Sequence, residues 1–207
     1  MRSTTPWFEE FTERPRFNVA PSQEVPLIRL NAEGQRAIGS ALWGLVPSWT
    51  KGTPKARPIN ARGETVATNG MFRQAFARRR CLIPADGFYE WQGSKPPKQP
   101  YFIHMKDDGL FAFAGVWERW MPEAGAEPVD SCAIITTEAN ELMTPIHQRM
   151  PAILGPEHYD RWLSRDTPAE EARRLIRPFE PARMEARPVS PAVNRPSHDS
   201  ADCIEGV

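Results

Sequence analysis

The sequence lacks the features that mark secreted and membrane proteins. Only three of its 207 residues are cysteine, an odd and sparse set that does not support a disulfide framework and fits a reducing compartment. No apolar run reaches the roughly 18 residues needed to cross a bilayer, and residues 1–13 contain no apolar stretch of the signal-peptide type. A cytoplasmic protein without a membrane partner is therefore expected.

The chain also has no net charge, yet its charges are unevenly distributed. Its 26 Lys and Arg side chains balance 26 Asp and Glu. Between residues 14 and 80, however, twelve basic side chains face only three acidic ones. A basic third of a neutral protein could hold an anionic ligand on one face, or could simply solubilise that segment. Charge alone leaves both interpretations open.

Proline, by contrast, is abundant, with 22 residues, about twice its ordinary share. This disfavours a helical bundle and favours strands, turns and loops. Runs rich in β-branched and aromatic residues, separated by turn clusters, predict strands that are followed by a polar tail. The predicted strands are residues 25–30, 37–45, 81–84, 88–92, 101–105, 110–118, 132–136, 150–154 and 184–189. They indicate an α+β fold dominated by antiparallel strands.

Short helices are predicted beside these strands. One begins at residues 4–6 and turns Trp7, Phe8 and Phe11 to one face. Another is capped by residue 68 or 69 and ends in the arginines at 78–80, whose charge suits the negative end of the helix dipole. Two more helices are predicted, each with proline at its start, over residues 156–163 and 168–176. Because no repeat or long linker divides the chain, one domain over residues 1–207 is expected.

Residues 60–65 (NARGET) directly follow a proline-rich loop. Asn60, Arg62 and Glu64 place an amide, a guanidinium and a carboxylate within five residues. These groups can bind a phosphate or a sugar through directional hydrogen bonds. A structural turn stabilised by Asn60 and Glu64 is the competing interpretation.

A carboxylate stands inside the aromatic run at residues 87–91 (GFYEW). The two-residue period of a strand puts Phe88, Glu90 and Gln92 on one face, and Tyr89 and Trp91 on the other. An acid among apolar neighbours tends to have a raised pKa, which suits general acid/base chemistry. A Glu90 that points to water from a surface strand is equally consistent with the spacing.

His147 and Arg149 lie two residues apart in a segment bracketed by prolines (residues 145–151). If this stiff segment is extended, their side chains share a face. His147 could move protons near neutral pH, or could be a buried histidine satisfied by a backbone carbonyl. The other three histidines show no metal-ligand spacing with any cysteine, so no metal site is expected.

Three tryptophans are candidate platforms for stacking on nucleic-acid bases. Trp43 lies in a predicted strand and is expected in the core. Trp49 stands beside Lys51 and Lys55 and is the better candidate for a base contact. Trp91 is the third.

Five motifs in order resemble the SOS-response-associated peptidase (SRAP) domain family. They are residues 14–21 (RPRFNVAP), 43–49 (WGLVPSW), 60–62 (NAR), 81–91 (CLIPADGFYEW) and 146–151 (IHQRMP). Residues 188–190 (PVS) and 193–194 (VN) resemble its C-terminal end, so the resemblance runs from about residue 14 to the end of the chain. It implies a single compact domain with a curved, barrel-like, mainly antiparallel sheet core and flanking helices.

The resemblance also implies an activity, because SRAP domains bind single-stranded DNA and process abasic sites, with no metal or organic cofactor. In the family, removal of the initiator methionine exposes a cysteine. Its α-amine attacks the aldehyde of the ring-opened abasic sugar, and its thiol then closes a thiazolidine ring. An α-amine has a pKa of about 8, so a useful fraction is neutral and nucleophilic at neutral pH.

Roles for individual residues follow from the matching motifs. The resemblance implies that Asn60 holds the N-terminus and the sugar, and that Glu90 is the acid/base for methionine removal and imine chemistry. His147 would assist opening of the sugar, while Arg62 and Arg149 would hold the flanking phosphates. The expected partner is single-stranded DNA with abasic sites, bound by a monomer. The expected location is the cytoplasm of a bacterial-type cell, on the nucleoid when DNA is bound.

The chain departs from the family at its start. Family members begin Met-Cys-Gly-Arg, whereas this chain begins Met1-Arg2-Ser3-Thr4. Either the start is assigned downstream of the true one, which is the favoured expectation, or this is a degenerate member. Cys81 and the other cysteines cannot substitute, because a thiazolidine needs amine and thiol on one residue.

Two rival functions stay open. A non-catalytic single-stranded DNA binding module would keep Trp49, Arg62 and Arg149 without covalent chemistry. A cysteine protease would instead pair Cys81 with His147, although a thiol in an apolar strand is typical of a buried, inert cysteine.

Overall fold

The computed structural model describes residues 7–8, 14–123 and 125–207. Within these residues lie eleven strands and three short α-helices. The strands are β1 (Glu24–Leu30), β2 (Arg36–Trp43), β3 (Asn60–Arg62), β4 (Arg80–Ala85), β5 (Gly87–Gln92), β6 (Gln99–Met105), β7 (Phe111–Trp120), β8 (Val129–Glu138), β9 (Arg149–Pro151), β10 (Ile153–Leu154) and β11 (Met184–Pro188). The helices are α1 (Arg73–Arg78), α2 (Tyr159–Leu163) and α3 (Ala169–Arg173).

Five of the strands close into a barrel. β1 pairs antiparallel with β2 and with β4, β4 pairs with β7, and β7 pairs with β8. A short parallel pairing between β2 and β8 completes the ring. Closure removes the free edges that an open sheet would expose. The expected α+β fold with a barrel-like, mainly antiparallel core is confirmed, and the parallel pair makes the barrel mixed.

Strand β8 continues past the barrel and organises the neighbouring strands. Its first half pairs with β2 and β7, whereas its second half pairs with β3 in parallel and with β9 in antiparallel orientation. Thr136 of β8 therefore stands between Arg62 of β3 and Pro151 of β9. This arrangement brings two distant predicted motifs, at residues 60–62 and 149–151, to the two sides of one strand.

A second, three-stranded antiparallel sheet in the order β11-β6-β5 packs against the barrel. The two faces of β5 have different partners. Phe88 meets Phe113 of β7 edge-to-face, with the ring centroids 5.8 Å apart. Tyr89 and Trp91 pack on the opposite face against a small cluster around Val193. The predicted alternation along this strand is observed.

The segment predicted as a polar tail after β11 is mostly exposed, but it is not a free tail, because it packs back onto the domain. Two 3₁₀ turns, Pro191–Asn194 and Ala201–Ile204, bury Val193 and Cys203. The side-chain amide of Asn18 donates to the carbonyls of Val193, Arg195 and His198 at 3.1, 3.0 and 2.9 Å. Scattered apolar residues, too few to show a periodic pattern, are enough to fold this segment against the N-terminal region.

The predicted strand at residues 150–154 is two strands, because the backbone exchanges partners at Ala152. Its N–H donates to the carbonyl of Ile135 in β8, while its own carbonyl accepts the N–H of Ala114 in β7. β9 thus belongs to β8, and β10 belongs to β7. The helix predicted over residues 156–163 begins with the 3₁₀ turn Pro156–His158 and continues as α2.

The helix predicted to begin at residues 4–6 lies mostly outside the described residues. Of its expected apolar face, Trp7 and Phe8 are described, and both rings contact Tyr159 edge-on. No helix in the described part of the chain is long and apolar enough to cross a membrane.

A buried guanidinium anchors the helices to the barrel. Arg80, at the start of β4, donates to the carbonyls of Phe76, Trp162, Ser164 and Thr167 over 2.5 to 3.0 Å. Burial lowers the pKa of Arg80, but the four carbonyl acceptors compensate much of the desolvation. Arg80, the last of the three arginines at residues 78–80, is therefore a structural residue and not part of a binding surface.

Candidate nucleic-acid and active site

A cleft of about 900 Å³ opens between the β3–β8–β9 edge, strand β5, the segment 14–21 and the C-terminal turns. Every residue predicted for the site except Trp49 lines it. Those residues are Asn60, Arg62, Glu90, Trp91, His147 and Arg149. They come from three separate parts of the chain, so the fold assembles a common surface that no single motif contains.

Glu90 sits in the middle of β5, opposite Tyr101 of β6. Its side chain is one quarter exposed, so the alternative of a freely solvated surface carboxylate does not hold. Burial raises the pKa of Glu90, and the nearby His147 opposes that shift without cancelling it. A raised pKa lies closer to neutral pH than the ordinary value. A carboxyl group with such a pKa can both donate and accept protons, which is what general acid/base chemistry requires.

His147 lies in the turn before β9, and its imidazole faces Glu90. Nδ1 is 3.8 Å from Glu90 Oε1. The same nitrogen is 3.0 Å from the carbonyl of Arg149 and 3.2 Å from the backbone N–H of Arg149. Nδ1 can therefore donate to the carbonyl when it carries a proton, or accept from the N–H when it does not. The side chain is 46 % exposed, so the alternative of a buried histidine is wrong.

The segment that carries His147 is braced against β5. Gln92, on the same face of β5 as Glu90, donates its amide to the carbonyl of Pro145 at 2.9 Å. Asn140 closes the start of the turn by accepting from the N–H of Met143 at 3.0 Å and donating to the carbonyl of Phe179. These bonds hold the His147 turn in fixed relation to the strand of Glu90.

Asn60 and Arg62 occupy alternate positions of β3, with Ala61 buried between them. Both side chains are exposed into the cleft. Across the described ranges, neither side chain has a hydrogen-bond or ion-pair partner, so their donors are available to a ligand. The alternative in which Asn60 stabilises a structural turn is not supported.

Arg149 is held much more firmly than Arg62. Its guanidinium donates to both carboxylate oxygens of Glu64, at 2.5 and 3.0 Å. It also donates to the backbone carbonyl of Thr136 at 2.8 Å and to the Thr136 hydroxyl at 3.2 Å. The Arg149 hydrogen bond lowers the pKa of Glu64. Glu64 belongs to a predicted motif, but nothing in the local sequence indicates that its partner lies 85 positions later.

The three tryptophans differ in their placement. Trp91 lines the cleft, and its indole N–H donates to Asn194 at 2.7 Å. Trp43 also lines the cleft, and its indole N–H donates to the carbonyl of Ile59. It is half-buried and packs against the core, so the expected core position is met only in part. Trp49 is 57 % exposed but lies on the loop after β2, outside the cleft lining. A base contact by Trp49 stays a prediction, and it requires DNA that extends beyond the cleft.

The cysteines are not placed for catalysis. Cys81 is fully buried inside β4, and burial raises its pKa well above the ordinary value. A buried, protonated thiol is a poor nucleophile, so the protease pairing of Cys81 with His147 is not supported.

Cys203 lies beside His198 and Asp202, which precede it by five residues and by one residue in the chain. The Cys203 thiol donates to the backbone carbonyl of His198. Nε2 of the His198 imidazole is hydrogen-bonded to Oδ2 of Asp202 at 2.8 Å. These groups satisfy one another within the C-terminal turns.

Comparison with known proteins identifies the family. Residues 3–196 match the family model described as SOS response associated peptidase (SRAP). The abasic site processing protein YoqW of Bacillus subtilis is 42% identical over 194 residues, which cover 92% of this chain and 86% of the relative. The abasic site processing protein HMCES of Gallus gallus is 33% identical over 235 residues, covering 98% of this chain and 69% of the relative.

The fold agrees with that match. A crystal structure of a protein from Bacteroides thetaiotaomicron superposes with a TM-score of 0.80 at 28% sequence identity, covering 90% of this chain and 82% of the other. The chain therefore belongs to the SRAP family.

Proposed function

We propose that this protein processes abasic sites in single-stranded DNA, acting as a monomer and forming a covalent bond to the abasic sugar through its N-terminal residue. The observation that carries the proposal is the convergence of Asn60, Glu90 and His147 on one cleft that is also lined by Arg62 and Arg149. Relatives over most of the chain are named abasic site processing proteins.

The first step is binding of the strand. Arg62 has an unpaired guanidinium on the cleft wall and supplies the attraction for a phosphate. Arg149 is paired with Glu64, so its net charge is largely neutralised and its contribution is directional rather than long-range. Trp91 provides an aromatic surface on which an adjacent base can stack. The open cleft suits a strand whose bases are unpaired.

The chemical step is imine formation. The neutral α-amine of the N-terminal residue attacks C1′ of the ring-opened sugar, and the resulting carbinolamine loses water to give the imine. A proton must reach the departing hydroxyl and another must leave the nitrogen. Glu90, with its raised pKa, supplies and accepts these protons. Asn60 donates its amide N–H to the sugar, and its amide oxygen accepts an N–H of the N-terminal amine, which leaves the amine lone pair free to attack.

His147 assists the step before attack. Opening the cyclic sugar moves a proton from the C1′ hydroxyl and delivers one to the ring oxygen. The imidazole exposes one edge to the cleft while Nδ1 faces Glu90 and the Arg149 backbone. A proton can therefore pass between His147 and Glu90 through a bridging water, since 3.8 Å is too long for a direct hydrogen bond.

The N-terminal residue decides how stable the product is. A cysteine there would add its S–H across the imine, forming a C–S bond and leaving the proton on nitrogen. In a chain that begins Met-Cys, Glu90 would also assist hydrolysis of the first peptide bond. The printed sequence has its first cysteine at position 81, and residues 1–6 lie outside the described structure. An N-terminal residue without a thiol would instead leave the product as an imine that water reverses.

Borohydride trapping tests the proposal. An oligonucleotide with one abasic site, incubated with the protein and borohydride, should give a covalent adduct on a denaturing gel. Glu90→Gln should slow adduct formation about 100-fold, and an intact oligonucleotide should give none. Salt-sensitive binding without any trapped adduct would instead support the rival function, a non-catalytic single-stranded DNA binding module.

A further inference from the structure

Glu64 is an acidic side chain at the edge of a cleft proposed to bind a polyanion. It lies two residues after Arg62, and its carboxylate is about half exposed. Electrostatics alone would disfavour a carboxylate here, because it repels phosphate and cancels the charge of Arg149. Its position therefore needs a reason that outweighs the repulsion.

The geometry supplies such a reason. The Glu64 carboxylate accepts hydrogen bonds from both terminal nitrogens of Arg149, and the Thr136 carbonyl accepts a further N–H of Nη2. Nη1 keeps a second N–H that no group in the described structure accepts. The guanidinium is thus fixed in one orientation, with a donor left over for a ligand. An unrestrained arginine would have to order its long side chain on binding, which costs conformational entropy.

The backbone places Glu64 for this contact. The N–H of Gly63 donates to the carbonyl of Thr136, the same carbonyl that accepts from Arg149. A Cβ at Gly63 would lie 2.4 Å from the Cγ2 atom of Ile176. Only glycine therefore lets the backbone at position 63 lie this close to Ile176 while it bonds Thr136. The Glu64–Arg149 pair then crosses β8 and joins the end of β3 to β9.

The same pair reaches the candidate catalytic groups. The backbone N–H and carbonyl of Arg149 are the two partners of His147 Nδ1. A restraint on Arg149 is therefore also a restraint on the imidazole that faces Glu90. We propose that Glu64 is a positioning residue, which fixes the Arg149 guanidinium for a DNA phosphate and steadies His147 beside Glu90. This inference rests on the proposed function and deepens it.

The sign of a mutational effect tests it. The probe is a single-stranded oligonucleotide with a tetrahydrofuran abasic analogue, which has no aldehyde and so reports binding alone. Glu64→Ala should raise its Kd about fivefold, although the change removes a negative charge from a DNA-binding edge. Glu64→Gln, which keeps the length and one acceptor, should restore part of the affinity. Glu33→Ala, an exposed carboxylate in the β1–β2 turn, removes the same charge elsewhere and should leave Kd within about twofold.

The effect should reverse when Arg149 is absent. In an Arg149→Ala background, Glu64→Ala should lower Kd about twofold, because the carboxylate then repels phosphate and offsets part of the charge of Arg62. A Glu64→Ala variant that binds more tightly in the otherwise unchanged protein would overturn the proposal and identify Glu64 as a competitor of DNA. The same weakening in both backgrounds would overturn it too, since Glu64 would then act without Arg149.

A measurement without DNA separates this inference from the proposed function. If the unchanged protein binds no single-stranded DNA, the proposed function fails. Crystal structures of the free protein and of Glu64→Ala would still report on positioning. Arg149 should leave Thr136, and His147 should move from Glu90, in the variant. Unchanged placement of both side chains would overturn the positioning role.

Discussion

Replacing Glu90 with glutamine should make the protein more stable at neutral pH and less active. The carboxyl is one quarter exposed in the middle of β5, and burial raises its pKa from the ordinary value of 4.5. A raised pKa in the folded state means that the group favours folding most below about pH 4.5 and loses that contribution as pH rises through the folded value. The unchanged protein therefore carries an unfavourable carboxylate at neutral pH.

Glutamine has the same shape and stays neutral. At pH 8 we expect Glu90→Gln to raise the free energy of unfolding by about 1 kcal/mol, which is a rise of about 2–4 °C in Tm for a chain of this size. The difference should shrink as the pH falls towards 4, because the glutamate becomes increasingly protonated in both the folded and the unfolded state. Thermal unfolding from pH 4 to 8, with borohydride trapping in parallel, measures both effects. A variant that is less stable at pH 8, or a Tm difference independent of pH, would refute the reasoning.

Three further predictions concern binding, stability and the covalent product. Arg62→Ala should reduce the slope of log K against log salt for single-stranded DNA by about 0.7, whereas Arg174→Ala, outside the cleft lining, should leave it unchanged; equal slopes for all three proteins would count against the phosphate contact. Arg80→Met should lower the free energy of unfolding, measured in urea, by about 3 kcal/mol, because it leaves four carbonyls without their donor. The control Arg119→Met, at an exposed arginine, should lower it by less than about 1 kcal/mol. Similar losses for the two variants would contradict the structural role of Arg80. A variant that begins Met-Cys-Gly-Arg should lose its methionine and form a heat-stable adduct with abasic single strands, whereas the printed sequence should need borohydride; a heat-stable adduct from the printed sequence would refute the role given to the N-terminal thiol.

The local sequence pattern was sufficient to predict which face of a single strand each side chain occupies. The alternation at residues 88–92 placed Glu90 on the opposite face from Tyr89 and Trp91, because side-chain direction in a strand has a fixed period. Neighbouring groups in the chain, such as Asn60 with Arg62 and His147 with Arg149, were also grouped correctly. Their common cleft followed from the family resemblance and not from spacing.

Long-range pairing was beyond the local pattern. Nothing within residues 129–138 indicates that β8 changes partners from β2 and β7 to β3 and β9, because that register depends on closure of the whole barrel. The Glu64–Arg149 pair depends on the same crossing and was missed for that reason. The segment after β11 looked polar because its few apolar residues have no period, yet they are buried against Phe17 and Tyr89. Trp49 was judged by its basic neighbours, but it lies on the exposed loop after β2 and does not line the cleft.

A crystal structure of the protein with a single-stranded oligonucleotide carrying the tetrahydrofuran abasic analogue tests the central claim most directly. The abasic sugar should lie in the cleft, with its oxygens within about 3 Å of polar atoms of Asn60, Glu90 or His147. The flanking phosphates should contact Arg62 and the free N–H of Arg149. A strand bound across another face, with Asn60, Glu90 and His147 facing solvent, would contradict the account.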